Sequence, residues 1–491
     1  MSIPKEILAV ERPKNTIVAA YGKDKDKYAV KKRVGCKRVN GRNVPVTGPT
    51  IGHIVDGRFV EDRKFESADP DLKDWANVAY CDSLIAGVIP ELDAQYSHQT
   101  SLQIHCIAVL RVCYPGVKDC ELKERYDSSF LSEIRPGVAL SRNTVSSLLE
   151  KLGKSVSRIV EFMRGRAAKV GADHHLLVDG TLKSDESSVN SLSDFSRKAR
   201  TKGSRDISVL YAFDLEAMEP VCSQCFPGNM LDLTAYSDFI ERNGIKKGII
   251  VADKGFPSSA AEKALAGSPD LHYLNPLKRN SSLIKTHSML SFDGALEGFE
   301  GVLCKRAKVS GKGKWLYSFR DPRLAAAEER DYISRRADGW DAGDFERRRR
   351  EFGTVVLESD LGLTAKEAYV AYSKRWEIET VMRYYKQACE LDETRVHGDY
   401  SVIGSEFVSF LASLLTYKVL NDAGKKGVLD KMNYGKMMAK LERAKKIRIS
   451  GEWRMVKINP SEEAILVGLG LLEKPKEPPK RRPGRPKKNA I

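Results

Sequence analysis

The chain has 491 residues, too many for one small domain, and 42% of them are hydrophobic, which excludes a largely disordered protein. Lysine and arginine total 82 against 66 aspartates and glutamates, so the formal charge is +16. Such a surplus favours a polyanionic partner such as nucleic acid, although it also increases solubility. Nine scattered cysteines suit a reducing compartment. The sequence shows no signal peptide and no run of about 18 apolar residues, which predicts a soluble, cytoplasmic protein without a membrane span.

Residues 1–65 are predicted to form a basic, β-rich N-terminal unit. Four short β-prone runs lie between residues 15 and 60, separated by turns rich in Gly, Asn and Asp. Nine lysines and arginines lie between residues 23 and 42. This clustering favours contact with DNA, and a solvated basic hairpin is the alternative.

Residues 66–170 have the spacing of helices. One apolar run is stopped by Pro115 and Gly116. In the segment that begins at residue 139, Ser141 is a candidate helix cap and Gly153 marks a predicted turn. The pattern fits a DNA-binding helix-turn-helix and equally fits an ordinary helical hairpin.

Residues 171–279 change to buried strands alternating with helices, in the order β–β–β–α–β–α–β, which predicts an α/β domain with a mixed sheet. Asp179 and Asp253 each end an apolar strand run in this interpretation. Because ligand sites of α/β sheets lie beyond the carboxyl ends of strands, we expect the two acids to be neighbours.

Three further segments complete the predicted organisation. Residues 280–350 form a β-rich insertion with a charged helical return, and residues 351–425 return to the sheet domain with two helices. Residues 426–473 are mixed.

The C-terminal stretch, residues 474–491, carries eight lysines and arginines, one acid and five prolines, a composition typical of a disordered tail. Its Pro-Gly-Arg-Pro core resembles an AT-hook, which lies in the narrow minor groove of A·T-rich DNA. A merely basic tail is the alternative. The DNA-contacting candidates in this tail are Arg481, Arg482, Arg485, Lys487 and Lys488.

One helix face in residues 372–386 combines a carboxylate with cations and aromatics. At roughly 100° per residue, six side chains fall within about 80° of one another. Glu379 is the only acid on this face, and the other five are Tyr372, Arg375, Trp376, Arg383 and Lys386.

Glu379, Asp179 and Asp253 would together form a cluster of three carboxylates. Such a cluster repels itself unless cations neutralise it, and all-oxygen ligands select Mg²⁺ or Mn²⁺. Two such ions support phosphoryl transfer. The cations on the helix face would then hold substrate phosphates.

These residues resemble the DDE transposases of the insertion-sequence superfamily called IS-four. Tyr372, Arg375, Glu379 and Lys386 have the spacing of that family's Tyr–Arg–Glu–Lys signature. The sequences VDGT and VADKGF, which contain Asp179 and Asp253, are similar to the surroundings of the first two catalytic acids. FPGNMLDLTAY is similar to the stretch between these acids, and YSKRWEIE is similar to the stretch around the third. The long basic N-terminal region most resembles the branch grouped as IS1634-like.

The resemblance implies an RNase H-like catalytic core interrupted by the β-rich insertion. It implies a prokaryotic, nucleoid-associated transposase that binds terminal inverted repeats through residues 66–170. The enzyme would cleave transposon ends and join their 3′-hydroxyls to target DNA by a cut-and-paste route, as a homodimer on paired ends. Asp179, Asp253 and Glu379 would hold two Mg²⁺ or Mn²⁺ ions.

The resemblance also implies roles for side chains around the acids. Tyr372, Arg375 and Lys386 would contact the DNA backbone near the cleaved strand, and Lys254 is a further candidate phosphate contact. Trp376 would stack on a displaced base or pack under its helix. Some relatives hold a flipped base with an aromatic residue of the insertion, and this sequence offers Trp315, Tyr317, Phe319 and Trp340.

Two other functions remain open from the residues alone. One is an RNase H-like nuclease that cuts strands without joining them. The other is a non-catalytic DNA-binding regulator, against which the presence of all three acids argues.

Overall fold

The computed structural model describes residues 3–22, 27–39, 42–61, 71–185, 187, 189–195, 205–230, 233–252, 265, 267–311, 313–336, 339–374, 394, 396–449 and 451–473. Contacts divide the chain into two compact units. The first unit comprises Met1–Leu72 and Lys446–Val456, and the second comprises Lys73–Lys445 and Lys457–Ile491.

All but one of the described helices lie in the second unit, and residues 365–374 are the described part of α13. The α-helices are α1 Lys5–Ala9, α2 Ala76–Ile85, α3 Ile89–Asp93, α4 His98–Cys113, α5 Leu122–Ser128, α6 Leu131–Ile134, α7 Arg142–Lys154, α8 Val156–Ala167, α9 Leu233–Arg242, α10 Ser282–Thr286, α11 Pro322–Arg335, α12 Ala342–Arg349, α13 365–374, α14 Asp399–Lys425, α15 Tyr434–Arg443 and α16 Pro460–Leu469.

Strands are found in both units. They are β1 Thr16–Tyr21, β2 Lys27–Val39, β3 Arg42–Val55, β4 Arg58–Glu61, β5 Leu72–Asp74, β6 His175–Ser184, β7 Asp194–Phe195, β8 Arg205–Asp214, β9 Glu219–Pro227, β10 Lys247–Ala252, β11 Asp270–Pro276, β12 Gly294–Ala295, β13 Leu303–Val309, β14 Lys314–Arg320, β15 Thr354–Ser359, β16 Lys445–Ile449 and β17 Glu452–Met455.

The N-terminal unit contains an antiparallel sheet with the order β1–β2–β3–β4. Four β runs were expected there, but their boundaries differ, because residues 42–55 form one continuous strand. The chain then reverses at Asp56 and Gly57, whose φ angles of 47° and 71° are those of a tight hairpin turn. Val18, Val30 and Ile54 form the small core of this sheet.

The second unit is built on a ten-stranded mixed sheet. Its path runs β12–β13–β14–β15–β11–β10–β6–β8–β7, and β9 also pairs with β8. β6, β10 and β11 are mutually parallel, and the other pairings are antiparallel. The strands β6, β8 and β9, the helix α9 and the strands β10 and β11 follow one another as predicted, and the short strand β7 is additional. The helix predicted between β10 and β11 lies almost entirely outside the described residues.

Asp179 does not end its strand, contrary to the expectation from the sequence. β6 continues to Ser184 because β8 pairs with it antiparallel over its whole length, from Leu176 with Asp214 to Ser184 with Asp206. The polar residues that follow Asp179, as far as Ser184, therefore lie in a paired strand rather than in a loop.

Strands from the predicted insertion continue the main sheet. β14 pairs antiparallel with β15, and β15 pairs with β11, so β12, β13 and β14 are hydrogen-bonded into one sheet with the strand that carries Asp179.

The helical region before the sheet confirms two local predictions and corrects a third. α4 ends just before Pro115, and the Ser141 side chain caps α7 by accepting a hydrogen bond from the Thr144 N–H. Gly153 does not mark a turn but lies inside α7, where a Cβ atom would come within 1.8 Å of the Tyr400 carbonyl oxygen. Gly153 is therefore required for the close approach of α7 to α14.

Among the described residues, α14 is the one helix long and apolar enough to span a membrane by length and composition. Its most apolar window is 83% buried inside the protein, as in the core helix of a globular domain.

Candidate active site

Asp179 lies half-buried in the middle of β6, an interior strand of the mixed sheet. Its backbone is opposite Tyr211 of β8, and its carboxylate Oδ1 accepts a 2.8 Å hydrogen bond from the Gly180 N–H. The carboxylate is thus held on a strand that is paired on both sides. Such an acid is positioned more rigidly than one on a loop.

The described part of the parallel neighbour β10 reaches the residue before Asp179. Its last residue, Ala252, pairs with Val178, the residue that precedes Asp179. Asp253 follows Ala252 in the sequence and lies outside the described residues.

Helix α14 covers the face of the sheet that carries Asp179. Directly opposite residues of antiparallel strands share a face, so Asp179 and Tyr211 point to the same side as Leu177 and Phe213. The ring of Tyr417, on α14, lies 5.2 Å from the ring of Phe213. Burial raises the pKa of Tyr417, and the negative charge of Asp179 raises it further.

Several hydroxyl groups on the Asp179 face have no protein partner among the described residues. They are Tyr417 Oη, Thr181 Oγ1 and Ser413 Oγ. Tyr417 is only 2% exposed, Ser413 is fully buried and Thr181 is 6% exposed. Buried hydroxyls of this kind are ordinarily satisfied by water or an ion, and a carboxylate beside hydroxyls is an all-oxygen donor set. The residues present therefore fit a hydrated Mg²⁺ or Mn²⁺ ion.

A buried ion pair lies further along the same face. Lys183, four residues after Asp179, donates to the carboxylate of Glu406 on α14. Both side chains are almost fully buried, at 3% and 6% exposure. Removing either partner would leave an uncompensated buried charge, so the pair ties α14 to β6 in one register.

The polar side of α14 is absent from the predictions, which treated the helix as apolar. Glu406, Ser409, Ser413 and Tyr417 recur at three- or four-residue spacing and fall within about 80° on a helix. This stripe was the sequence signal that could have revealed the polar side of the helix, because burial of four polar groups on one side costs free energy unless they have partners.

Of the predicted signature residues, only Tyr372 lies within the described part of the chain. It is 7% exposed and packs in a core cluster with Leu274, Phe319 and Ala368. Its contact with DNA stays a prediction. The remaining predicted site residues lie outside the described residues; they are Asp253, Lys254, Arg375, Trp376, Glu379, Arg383, Lys386, Arg481, Arg482, Arg485, Lys487 and Lys488.

The four aromatic candidates for holding a flipped base occupy different environments. Tyr317 is fully buried and donates to the Leu361 and Leu363 carbonyls, and Phe319 is also in the core. The Arg306 guanidinium lies 3.9 Å from the ring centroid of Trp315. Trp340 is 51% exposed. Exposure to solvent therefore favours Trp340 over Tyr317 and Phe319 as the residue that would hold a flipped base.

A second cluster of possible metal ligands lies at the opposite end of β6. Donor atoms of His174, Asp214 and Glu216 fall within 4.8 Å of one another. His174 precedes Asp179 by five residues, or roughly 16 Å of extended chain. The cluster is therefore separate from the Asp179 face.

Internal partners already neutralise this second cluster. His174 Nδ1 is 2.6 Å from Asp214 Oδ2, and this hydrogen bond raises the pKa of His174. Burial opposes ionisation of Glu216, but hydrogen bonds from His175 and Lys374 outweigh it and lower the pKa of Glu216 to about 2. The 3.0 Å ion pair between Lys374 and Glu216 fastens the end of the described part of α13 to the sheet. These contacts indicate an anchor for that helix.

Comparison with known proteins identifies the segment that contains Asp179. Residues 171–403, a little under half of the chain, match the family model described as "Transposase DDE domain". The chain is also similar to the solved structure "Cryo-EM structure of piggyBac transposase synaptic complex with hairpin DNA (SNHP)" at 13% identity and a TM-score of 0.39, with 75% of this chain and 79% of that chain covered. No curated protein matches the chain.

Proposed function

We propose that the chain is a DNA transposase that cleaves the ends of an insertion sequence and joins their 3′-hydroxyls to target DNA. The observation that carries the proposal is the parallel register of Val178 with Ala252. This register brings the two strands that lead into Asp179 and Asp253 side by side, within the segment that matches a transposase DDE domain. Membership of the IS-four superfamily, and of its IS1634-like branch, is part of the proposal.

The strand order supports an RNase H-like catalytic core. β9, β8 and β6 form an antiparallel meander, and β10 and β11 then add in parallel on the other side of β6. The first strand of the meander is thus central and carries Asp179. Asp253, the second acid of the proposal, follows the last described residue of β10 in the sequence.

Asp179, Asp253 and Glu379 would hold two Mg²⁺ or Mn²⁺ ions. Bound ions of this kind lower the pKa of an attacking oxygen and stabilise the leaving oxygen in phosphoryl transfer. The chain's own contribution is positional, because β6 is fixed on both sides and the Lys374–Glu216 ion pair anchors α13, the helix that leads toward Glu379. The unpartnered hydroxyl of Tyr417 would orient water beside Asp179.

The DNA partner would be contacted from several parts of the chain. Residues 66–170 would bind the terminal inverted repeats, and the cations of the signature helix would hold phosphates near the cleaved strand. The basic tail would bind the minor groove of flanking DNA. A homodimer on paired ends, a cut-and-paste route and a nucleoid-associated location in a prokaryote complete the proposal.

A strand-transfer assay separates this function from its alternatives. The full chain is incubated with Mg²⁺, a plasmid target and duplexes that carry the ends of its insertion sequence with free 3′-hydroxyls. Joined products support a transposase. Cleavage without joining would indicate an RNase H-like nuclease, and binding without either would indicate a non-catalytic regulator.

Substitution of the acids tests which residues act. We expect Glu379→Gln and Asp179→Asn to abolish both cleavage and joining while leaving DNA binding intact, because each removes a metal-binding carboxylate charge. His174→Gln is the matched control, since it removes a donor from the second cluster at the far end of β6. If His174→Gln abolished activity and Asp179→Asn did not, the Asp179 site would be wrong.

A further inference from the structure

Two strands of the N-terminal sheet extend well beyond their neighbours. β1 pairs with β2 only from Lys27 to Lys32, and one further hydrogen bond joins the Arg33 N–H to the Asn15 carbonyl. On the other edge, the described residues of β4 pair with β3 from Gly52 to Val55. In the part of the chain that the structure describes, residues 33–39 and 42–47 therefore continue as a two-stranded ribbon, which we call the ribbon arm.

Both faces of the ribbon arm are open to solvent. Every residue from Arg33 to Arg38 is exposed, including Val34 at 59%. On the returning strand, Val44 is 39% exposed. A two-stranded ribbon without a covering layer buries too little apolar surface to be justified by stability alone.

The charge of this segment has one sign. Residues 27–55 contain seven lysines and arginines and no aspartate or glutamate. None of the five cations from Lys31 to Arg38 forms an ion pair within the described part of the chain. The cations are thus available for an external polyanion.

The register places polar side chains on both faces of the ribbon arm. From Gly35 onward the pairing is regular, with Arg38 opposite Asn43 on one face and Lys37 opposite Val44 on the other. Arginine and asparagine are the side chains that bind guanine and adenine edges through paired hydrogen bonds. Irregular pairing between Val30 and Gly35 increases the local twist of the ribbon.

We propose that the ribbon arm lies in the major groove of double-helical DNA, with Arg38 and Asn43 facing base edges and the other cations contacting phosphates. The major groove admits a two-stranded β-ribbon, and a twisted ribbon follows its curvature. Gly48 keeps the base of the arm thin, since a Cβ atom there would lie 2.6 Å from Val34 Cγ1. The inference rests on the proposed function for its choice of DNA as the partner.

Charge-neutralising variants test the contact. The full chain carrying Arg33→Gln, Lys37→Gln and Arg38→Gln is compared with wild type by fluorescence anisotropy on a mixed-sequence DNA duplex, without divalent ions. We expect at least about tenfold weaker binding near 0.1 M salt, and a slope of log affinity against log salt that is smaller by about two to three. The matched control, Lys425→Gln, Lys431→Gln and Lys436→Gln, removes three exposed cations from the helical part.

An equal loss in the control would overturn the proposal, because the effect would then be one of net charge. An unchanged slope in the arm variant would overturn it as well. Binding is measured without cleavage, so a chain that binds through the arm but never cuts DNA would refute only the proposed function. A chain that binds no duplex DNA would refute both.

The exposed thiol of Cys36, on the ribbon arm opposite Pro45, gives a test without mutation. Maleimide alkylation of Cys36 is followed by peptide mass spectrometry, and saturating duplex DNA should slow it at least about fivefold. An RNA duplex of the same sequence should protect far less, because its major groove is too deep and narrow for side chains to read. Full reactivity of Cys36 in the DNA complex, or equal protection by RNA, would overturn groove binding.

Discussion

At the scale of single residues, the described part of the candidate site combines a carboxylate with buried hydroxyl groups on the same face of the sheet. Asp179 accepts from the Gly180 N–H and faces the buried ring of Tyr417. A buried hydroxyl without a hydrogen bond costs roughly 1–3 kcal/mol, so its retention calls for a functional reason. Orientation of water or a hydrated ion beside Asp179 supplies one.

Tyr417→Phe separates a functional hydroxyl from a structural one. Because Tyr417 Oη has no described partner, its removal should leave stability in metal-free buffer unchanged or raise it by up to about 1 kcal/mol. DNA cleavage should fall if the hydroxyl orients water. Thermal unfolding and the cleavage rate are measured together.

Tyr417→Ala is the control for packing. It deletes the ring that contacts Phe213 and should cost about 3–5 kcal/mol. If Tyr417→Phe destabilised the protein nearly as much, the hydroxyl would have a structural partner, and its role at Asp179 would be refuted.

At the scale of elements, α14 connects the helical region to the sheet. One side of the helix carries Glu406 and Tyr417 to the strand of Asp179. Another side is pressed against α7, where a Cβ atom on Gly404 would lie 2.0 Å from the Leu149 carbonyl oxygen. The helix that covers the site is therefore packed backbone to backbone against α7.

Gly404→Ala should push α7 away from α14. The contact with the backbone of Leu149 cannot be relieved by a side-chain rotation, so we expect a loss of about 1–3 kcal/mol in stability despite the better helix propensity of alanine. Gly424→Ala is the matched control in the same helix, because nothing lies within 4 Å of its Cβ position.

Gly424→Ala should leave the free energy of unfolding unchanged or raise it by up to about 1 kcal/mol. The shift in the unfolding midpoint of each variant measures the effect. Equal stability of the two variants would show that the close crossing of α7 and α14 is not required.

At the scale of the whole molecule, the positive charge is concentrated at the two ends of the sequence. The C-terminal tail alone contributes eight lysines and arginines and one glutamate to a net charge of +16. The N-terminal segment 27–55 adds seven cations without an acid. Positive charge at both ends of the sequence suits a protein that binds a long polyanion at more than one point.

Deletion of residues 474–491 should weaken DNA binding generally and reduce its salt dependence, because phosphate contacts release counterions. Anisotropy titrations over a range of salt concentrations measure the slope. An unchanged slope would show that the tail makes no contact with DNA.

Arg485→Lys distinguishes an AT-hook from a merely basic tail, because it keeps the charge but changes the shape of the donor. An AT-hook predicts a loss of preference for A·T-rich duplexes with the slope retained. A basic tail predicts no change in either quantity.

Local patterns in the sequence determined the α/β class, most of the order of the described strands and helices from β6 to β11, the end of α4 at Pro115 and the cap at Ser141. Each of these depends on residues a few positions apart, through strand or helix periodicity, proline geometry and side-chain capping. The resemblance to DDE transposases likewise came from short motifs. The match of residues 171–403 to a transposase DDE domain confirms that resemblance at the level of the domain.

Only the tertiary structure decided what surrounds Asp179. The sequence pattern predicted that the strand ends at Asp179, but pairing with β8 extends β6 to Ser184. Gly153 was predicted to mark a turn, but its role is set by the contact with α14, which lies about 250 residues further along the chain. The Lys183–Glu406 pair and the Tyr417–Phe213 contact also join distant parts of the chain. Such contacts depend on which surfaces pack together, and no local periodicity encodes that choice.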